Sequence, residues 1–184
     1  SWEVRGRSGP RAAGGSGLGV REGLGFGGAK VVITARKADE HAGAVQSLGP
    51  DTAVAARGSA DDEEHQAAAV SLAHERFGGL HHLVNNAAVN PQYGPLMDAD
   101  LNAVRKVMEV NVTAILGWTQ QAWRAGLSEG GSILNVASIG GIAAGAPIGA
   151  YNVSKAALSH LTRHLSAELG SKLTEQIQDL RLDG

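Results

Sequence analysis

The sequence predicts an α/β fold, a doubly wound parallel sheet, on three observations. Short apolar runs alternate with longer runs of helical periodicity from Lys30 onward, the order expected of strands joined by crossover helices. Within the short runs the apolar residues are consecutive and partly β-branched, as strands covered on both faces require. At 184 residues and 43% hydrophobic content the chain can bury one sizeable core, so a single domain over residues 1–184 is expected.

The strand runs are Val31 to Thr34, Thr52 to Ala56, Leu80 to Asn85 and Ser132 to Ala137. Helices are expected at Asp39 to Leu48, Asp61 to Phe77 and Leu101 to Trp123, with a fourth starting near Tyr151. In the third, Leu101, Val104, Met108 and Ile115 share a face with Asn111, which points an amide into the core. In the last, Leu158, Leu161, Leu165 and Leu169 form a stripe, and Gly170 is placed to stop the helix. Residues 1–29 are rich in Gly and Arg and hold no run resembling a buried strand; Trp2 to Arg5 is their one short alternation. The polar stretch from Ser171 to Gly184 offers no further strand, so the sheet is expected to be incomplete, with a weak first strand and no C-terminal strands.

Composition excludes several functions. The net charge of -2 arises from 16 basic and 18 acidic residues without a long run of either sign, which argues against nucleic acid or an acidic membrane as partner and for a small-molecule ligand. With no cysteine there is no disulfide, thiolate metal site or cysteine nucleophile. No uncharged stretch approaches the ~20 residues of a membrane span, so a cytoplasmic protein is expected. Ser171, Lys172 and Leu173 spell S-K-L, but that address is read only at a C-terminus. His160 and His164 are spaced i, i+4 without an acid or third ligand, so no metal site is expected.

Tyr151 and Lys155, in a Y-x-x-x-K, stand one helical turn apart on one face. A tyrosine, with an ordinary pKa of about 10, exchanges protons near neutrality only beside a cation that favours phenolate, and a lysine in that position supplies one. The pair is therefore either an acid–base device or the surface of an amphipathic helix start. Ser138 follows the apolar strand and precedes a glycine-rich loop, which places its hydroxyl at the carboxyl end of a strand, where open α/β sheets bind ligands. An isolated serine there could equally begin a turn.

Tyr151, Lys155, Ser138, Asn111 and the Asn85-Asn86-Ala87-Ala88 run together resemble the classical short-chain dehydrogenase/reductase family, over about Lys30 to Leu169. Asn90-Pro91 and Gly94-Pro95 are similar to its bacterial members and its NADPH-dependent carbonyl and retinol reductases. The resemblance implies a Rossmann-like sheet and hydride transfer between NADP(H) and a small carbonyl or alcohol. Tyr151 would be the general acid/base, Ser138 would polarise the carbonyl oxygen, Lys155 would hold ribose hydroxyls, and Asn111 would bind a relay water. The bland reading of Asn111 is a buried amide satisfying backbone groups at a kink.

For the cofactor, Ala12-Ala13-Gly14-Gly15-Ser16-Gly17-Leu18-Gly19 resembles the family's T-G-G-G-S-G-x-G phosphate loop, with alanines for its Thr and first Gly. This assigns cofactor contacts to Ser16, Gly17, Leu18, Gly19, Asn86, Ala87 and Ala88, besides Tyr151 and Lys155. The literal G-x-G-x-x-G from Gly23 to Gly28 precedes a strand instead of following one, so it is set aside. Ser8 to Arg11 occupies the family's first-strand position, and Ser-Gly-Pro-Arg cannot form a buried central strand. Arg36, after the Val31 strand, stands where an acid would bind a ribose 2′-OH; an arginine there suits a 2′-phosphate, so NADP(H) is preferred, with NAD(H) possible. Ala56 and His81 replace acids usual in the family. A homo-oligomer through the two long helices is implied. The alternative is a truncated relative, weak or inactive in catalysis, acting as a nucleotide-binding or assembly module.

Overall fold

The computed structural model describes residues 28–36, 45–145 and 147–170, together with the backbone of residues 2–5. Five parallel strands form one sheet: β1 (Trp2–Arg5), β2 (Val31–Ala35), β3 (Ala53–Arg57), β4 (His82–Asn85) and β5 (Ser132–Asn135), in the order β3-β2-β1-β4-β5. The order reverses at β1, so its carboxyl end opens on the crevice where such sheets take ligands.

The expectation for the first strand is corrected here. Trp2–Arg5 is not a stray alternation but the central strand, pairing in register with β2 from Trp2↔Val31 to Arg5↔Thr34 and with β4 from Trp2↔His82 to Val4↔Val84. Pairing on both sides stabilises a run too short to announce itself by local propensity. The glycine-rich stretch that follows β1 lies outside the described residues, as does most of the expected Asp39 to Leu48 helix; residues 45–48 are helical.

Helix α1 (Glu63–Phe77) starts at Asp62, whose side chain accepts hydrogen bonds from the backbone N–H of Glu64 and His65, and ends at Gly78. Gly78 adopts φ 78°, a left-handed conformation that costs glycine little, while its N–H caps the His74 carbonyl. Helix α2 (Leu101–Met108) is capped by Asp100 in the same way. It runs through a π-helical segment, Glu109–Thr113, into α3 (Ala114–Arg124). Helix α4 (Gly149–Leu169) carries the Tyr–Lys motif. Gly170 ends it as expected, at φ -61° and with its N–H bonded to the Ser166 carbonyl.

The face expected for the long helix holds in its second half. Asn111 and Ile115 are buried, with Val107, Val110, Ala114, Trp118, Thr119 and Ala122, whereas Val104 and Met108 are half-buried and Leu101 is 64% exposed. A π turn inserts a residue into the helical repeat, so a stripe drawn at constant spacing drifts off the core on its far side. Asn111 still points inward, fully buried.

Alternation along the strands gives the sheet two apolar faces. Val32 and Leu83 pack with Ala69, Val70 and Ala73 of α1, Trp118 and Ala122 of α3, and Leu127. Val31, Ile33 and Val84 face the other way, against Ala53, Val45 and Leu48. Trp118 is fully buried, and its indole N–H donates to the Ala60 carbonyl at 2.8 Å, so the largest core side chain is also hydrogen-bonded. Truncating such a residue costs about 3–5 kcal/mol. Among the described residues no helix is long and apolar enough to cross a membrane.

Candidate active site

The site lies at the carboxyl ends of β4 and β5. Val136 N–H donates to the Asn85 carbonyl at 2.9 Å, so the two chains stay paired beyond the last strand residues. Asn86, Ala87 and Ala88 leave β4 as a buried run, and Val136 and Ala137 leave β5 likewise. Ser138 follows and caps a short 3-10 turn, Ile139–Gly141, by accepting the Gly140 N–H at 3.2 Å. That bond uses the hydroxyl oxygen as acceptor and leaves its proton to be donated elsewhere. The turn-starting and ligand-facing readings of Ser138 are thus compatible.

Gly141 brings this turn against α4. A methyl group there would sit 2.8 Å from the Lys155 carbonyl carbon and 2.9 Å from the Ala156 nitrogen, both backbone atoms. Only glycine permits so close an approach. Nearby, Asn152 Nδ2 donates to the Gly145 carbonyl at 2.9 Å, which ties the glycine-rich loop to the same helix. The loop after β4 reaches it too, through Gly94 N–H to the Pro147 carbonyl at 2.8 Å and a bridge between Gly94 and Ile148.

Tyr151 is half-buried, and Lys155, one turn later, is only 2% exposed. The Lys155 Nζ donates to the Val136 carbonyl at 2.7 Å and lies 5.7 Å from the centre of the Tyr151 ring. A buried ammonium is costly unless it is hydrogen-bonded, and the strand end provides an acceptor. The lysine is therefore fixed between the end of β5 and the phenol, within cation–π range.

Asn111 sits beneath this pair. Its Oδ1 accepts the Val89 N–H at 2.8 Å, and its Nδ2 donates to the Val89 carbonyl and to Ser154 Oγ, both at 3.0 Å. Ser154 Oγ in turn donates to the Tyr151 carbonyl at 2.7 Å. The amide thus clamps the loop after β4 to the backbone of the tyrosine turn, so its side chain does what the bland reading expected.

Sequence reasoning missed Ser154 and a second polar chain. Asn85 Nδ2 donates to Asn135 Oδ1 at 2.8 Å, Asn135 Nδ2 to Thr162 Oγ1 at 3.0 Å, and Thr162 Oγ1 to the Leu158 carbonyl. Both asparagines end apolar strands and are register partners. An amide at the last position of two buried strands was the available signal. Asn85 Oδ1 is buried without a hydrogen-bond partner among the described residues.

At the other end of the crevice, Arg36 follows β2 and is exposed. Its carbonyl accepts a hydrogen bond at 3.2 Å from Nε of Arg57, the last residue of β3, which sequence reasoning passed over. Ser16, Gly17, Leu18 and Gly19 lie outside the described residues. His160 and His164 stack edge to face at 4.9 Å on an exposed face of α4, and no cluster of three metal-ligating side chains occurs among the described residues.

The residues present fit a dinucleotide. Two arginines without a carboxylate partner among the described residues stand at the β2 and β3 ends, small buried alanines line the β4 exit, and a buried ammonium reaches the β5 exit.

Comparison with known proteins identifies the family. A family model described as Enoyl-(Acyl carrier protein) reductase matches residues 12–174. Dehydrogenase/reductase SDR family member 4 of Oryctolagus cuniculus is 37% identical over 167 residues, covering 86% of this chain and 62% of that protein. The short-chain dehydrogenase/reductase SDRA of Arabidopsis thaliana is 30% identical, covering 84% of this chain and 61% of that protein. Among solved structures, a short-chain type dehydrogenase/reductase from Mycobacterium ulcerans superimposes with a TM-score of 0.85 at 29% identity, over 98% of this chain and 66% of its own. A short-chain dehydrogenase from Streptomyces avermitilis gives 0.81 at 27% identity, over 94% and 61%. The chain spans under two thirds of the length of these curated relatives. With a parallel sheet of the right order, a buried lysine beside a half-buried tyrosine and a family match across most of its length, the chain belongs to the short-chain dehydrogenase/reductase family of oxidoreductases.

Proposed function

We propose that the chain is the dinucleotide-binding domain of an NADP(H)-dependent reductase of small carbonyl compounds, with Tyr151 as general acid/base. The observation that carries this reading is the Lys155 ammonium, buried, bonded to the Val136 carbonyl and 5.7 Å from the Tyr151 ring. A bound nicotinamide would supply the hydride to the carbonyl carbon. Tyr151 gives its hydroxyl proton to the carbonyl oxygen, and Ser138, its hydroxyl proton uncommitted, donates a hydrogen bond to the same oxygen. Lys155, fixed by the Val136 carbonyl beside the phenol, is placed to orient Tyr151 for that step and to hold ribose hydroxyls. Asn111 acts on the reaction through Val89 and Ser154 and so counts as a positioning residue; a relay water on it would need to be added to bonds already made.

Arg36 supports the NADP(H) preference, since it stands where an acid would favour a free 2′-hydroxyl. A groove of about 230 Å³ between α3 and α4, lined in part by Leu116, Trp123, Leu165 and Leu169, is compatible with a homo-oligomer through these helices. A cytoplasmic setting completes the reading.

Turnover of a panel of ketones and aldehydes, followed by NADPH absorbance, tests it. Tyr151→Phe should lower the rate by about 10²–10⁴-fold with NADPH binding intact; a rate unchanged in that variant overturns the assignment. The second reading, a nucleotide-binding or assembly module without turnover, draws on Ala12 and Ala13, which stand in for the Thr and first Gly of the family's phosphate loop. NADPH binding with no turnover of any substrate would select it.

A further inference from the structure

We infer that Arg57 forms with Arg36 a two-guanidinium clamp for the phosphate monoester on the cofactor ribose, making Arg57 a second specificity-determining residue. This rests on the NADP(H) reading above and adds a residue from a different strand to it. Ala35 and Arg57 are register partners at the ends of β2 and β3, and Gly58 N–H donates to the Ala35 carbonyl at 3.2 Å. The Arg57 side chain turns back across this pair, its Nε bonded to the Arg36 carbonyl at 3.2 Å. One of its five N–H donors is thereby used to hold the side chain in place, and the terminal nitrogens remain available as a fork.

The backbone beneath is fixed as well. A methyl group on Gly58 would lie 2.2 Å from the His65 ring, so this imidazole of α1 presses directly on the residue after Arg57. Neither arginine has a carboxylate within ion-pair distance among the described residues, where the ion pair is Lys106 with Asp61. Like charges held at neighbouring strand ends repel each other, and an anion bound between them offsets that cost.

The chemical class follows from position. Diphosphate is expected at the glycine-rich turn after β1, whereas the ends of β2 and β3 meet the adenosine ribose, where an acid selects a diol and a cation selects a phosphate monoester. Arginine suits it better than lysine, because a planar fork matches two phosphate oxygens.

Isothermal titration of the full chain with adenosine 2′,5′-bisphosphate and with 5′-AMP tests the clamp without turnover. The wild type should prefer the bisphosphate. Arg57→Ala should weaken it by about 10- to 100-fold while leaving 5′-AMP unchanged, and Arg57→Lys should recover part of the loss. Equal weakening of both nucleotides, or no change in either, would overturn the role of Arg57. If the loss appears in Arg36→Ala but not in Arg57→Ala, the NADP(H) reading stands without the clamp. A wild type that binds the two nucleotides alike overturns both.

Discussion

The two ends of the crevice are built on opposite plans. Around β4, β5 and α4, polar groups are buried and bonded to one another: Lys155 to Val136, Asn111 to Val89 and Ser154, Asn85 to Asn135 to Thr162. At the ends of β2 and β3, the charged groups are exposed and lack carboxylate partners among the described residues. Under the proposed function the contrast separates two tasks. Groups that would move a proton need fixed geometry, which buried networks enforce, whereas groups that would recognise a phosphate need donors left unspent until the ligand arrives.

Breaking the buried end should have the largest effect. Asn111→Ala removes the partner of a half-buried N–H, a carbonyl and a hydroxyl at once, and should cost about 2–4 kcal/mol, read as a lower denaturation midpoint at unchanged slope. A loss under about 0.5 kcal/mol would mean that the clamp contributes nothing. Gly141→Ala comes next. The added methyl must push the turn off the backbone of Lys155 and Ala156, shifting Ser138 relative to Tyr151. About 1–3 kcal/mol of stability should be lost, and a displacement near 1 Å can cost about 10²-fold in rate. Stability and rate both equal to wild type would show that the turn has room to yield.

The smallest effect is expected outside both ends, where Lys106 pairs with Asp61. Burial raises the Asp61 carboxyl pKa, but hydrogen bonds from Lys106 and Ser59 outweigh it and leave the group below its ordinary value. A depressed folded value stabilises the protein above the ordinary carboxylate pKa, and that contribution is lost as pH falls through the folded one. With the lysine side chain 52% exposed, Lys106→Ala should cost at most about 1 kcal/mol near neutrality. The difference from wild type should shrink below about pH 4; a gap constant with pH would rule out an electrostatic origin.

Much of the fold was legible because β2, β4 and β5 are apolar at consecutive positions, a pattern few other structures produce. The edges moved by a residue or two, with β3 ending at Arg57 instead of Ala56. β1 was not legible, since its stability comes from two neighbours distant in sequence and not from its own four residues. The site divides similarly. Tyr151, Lys155 and Ser138 carry their signal in local spacing, while Ser154, Arg57 and the Asn85–Asn135 pair acquire meaning only through partners many residues away. The helix stripe drawn from Leu101 held at Asn111 and Ile115 but not at Leu101 itself, because spacing arguments assume one helical period and the π turn breaks it.

That turn also sets where the long helix can lose a residue. A π turn holds about one residue more than an α turn over nearly the same rotation, so a deletion between Glu109 and Thr113 can be absorbed as regular α-helix with α2 and α3 still in phase. A one-residue deletion in the regular helix to either side has no such slack and would swing one half by about 100° against the other. Shortened variants should therefore be tolerated better inside the π turn than a few residues away from it.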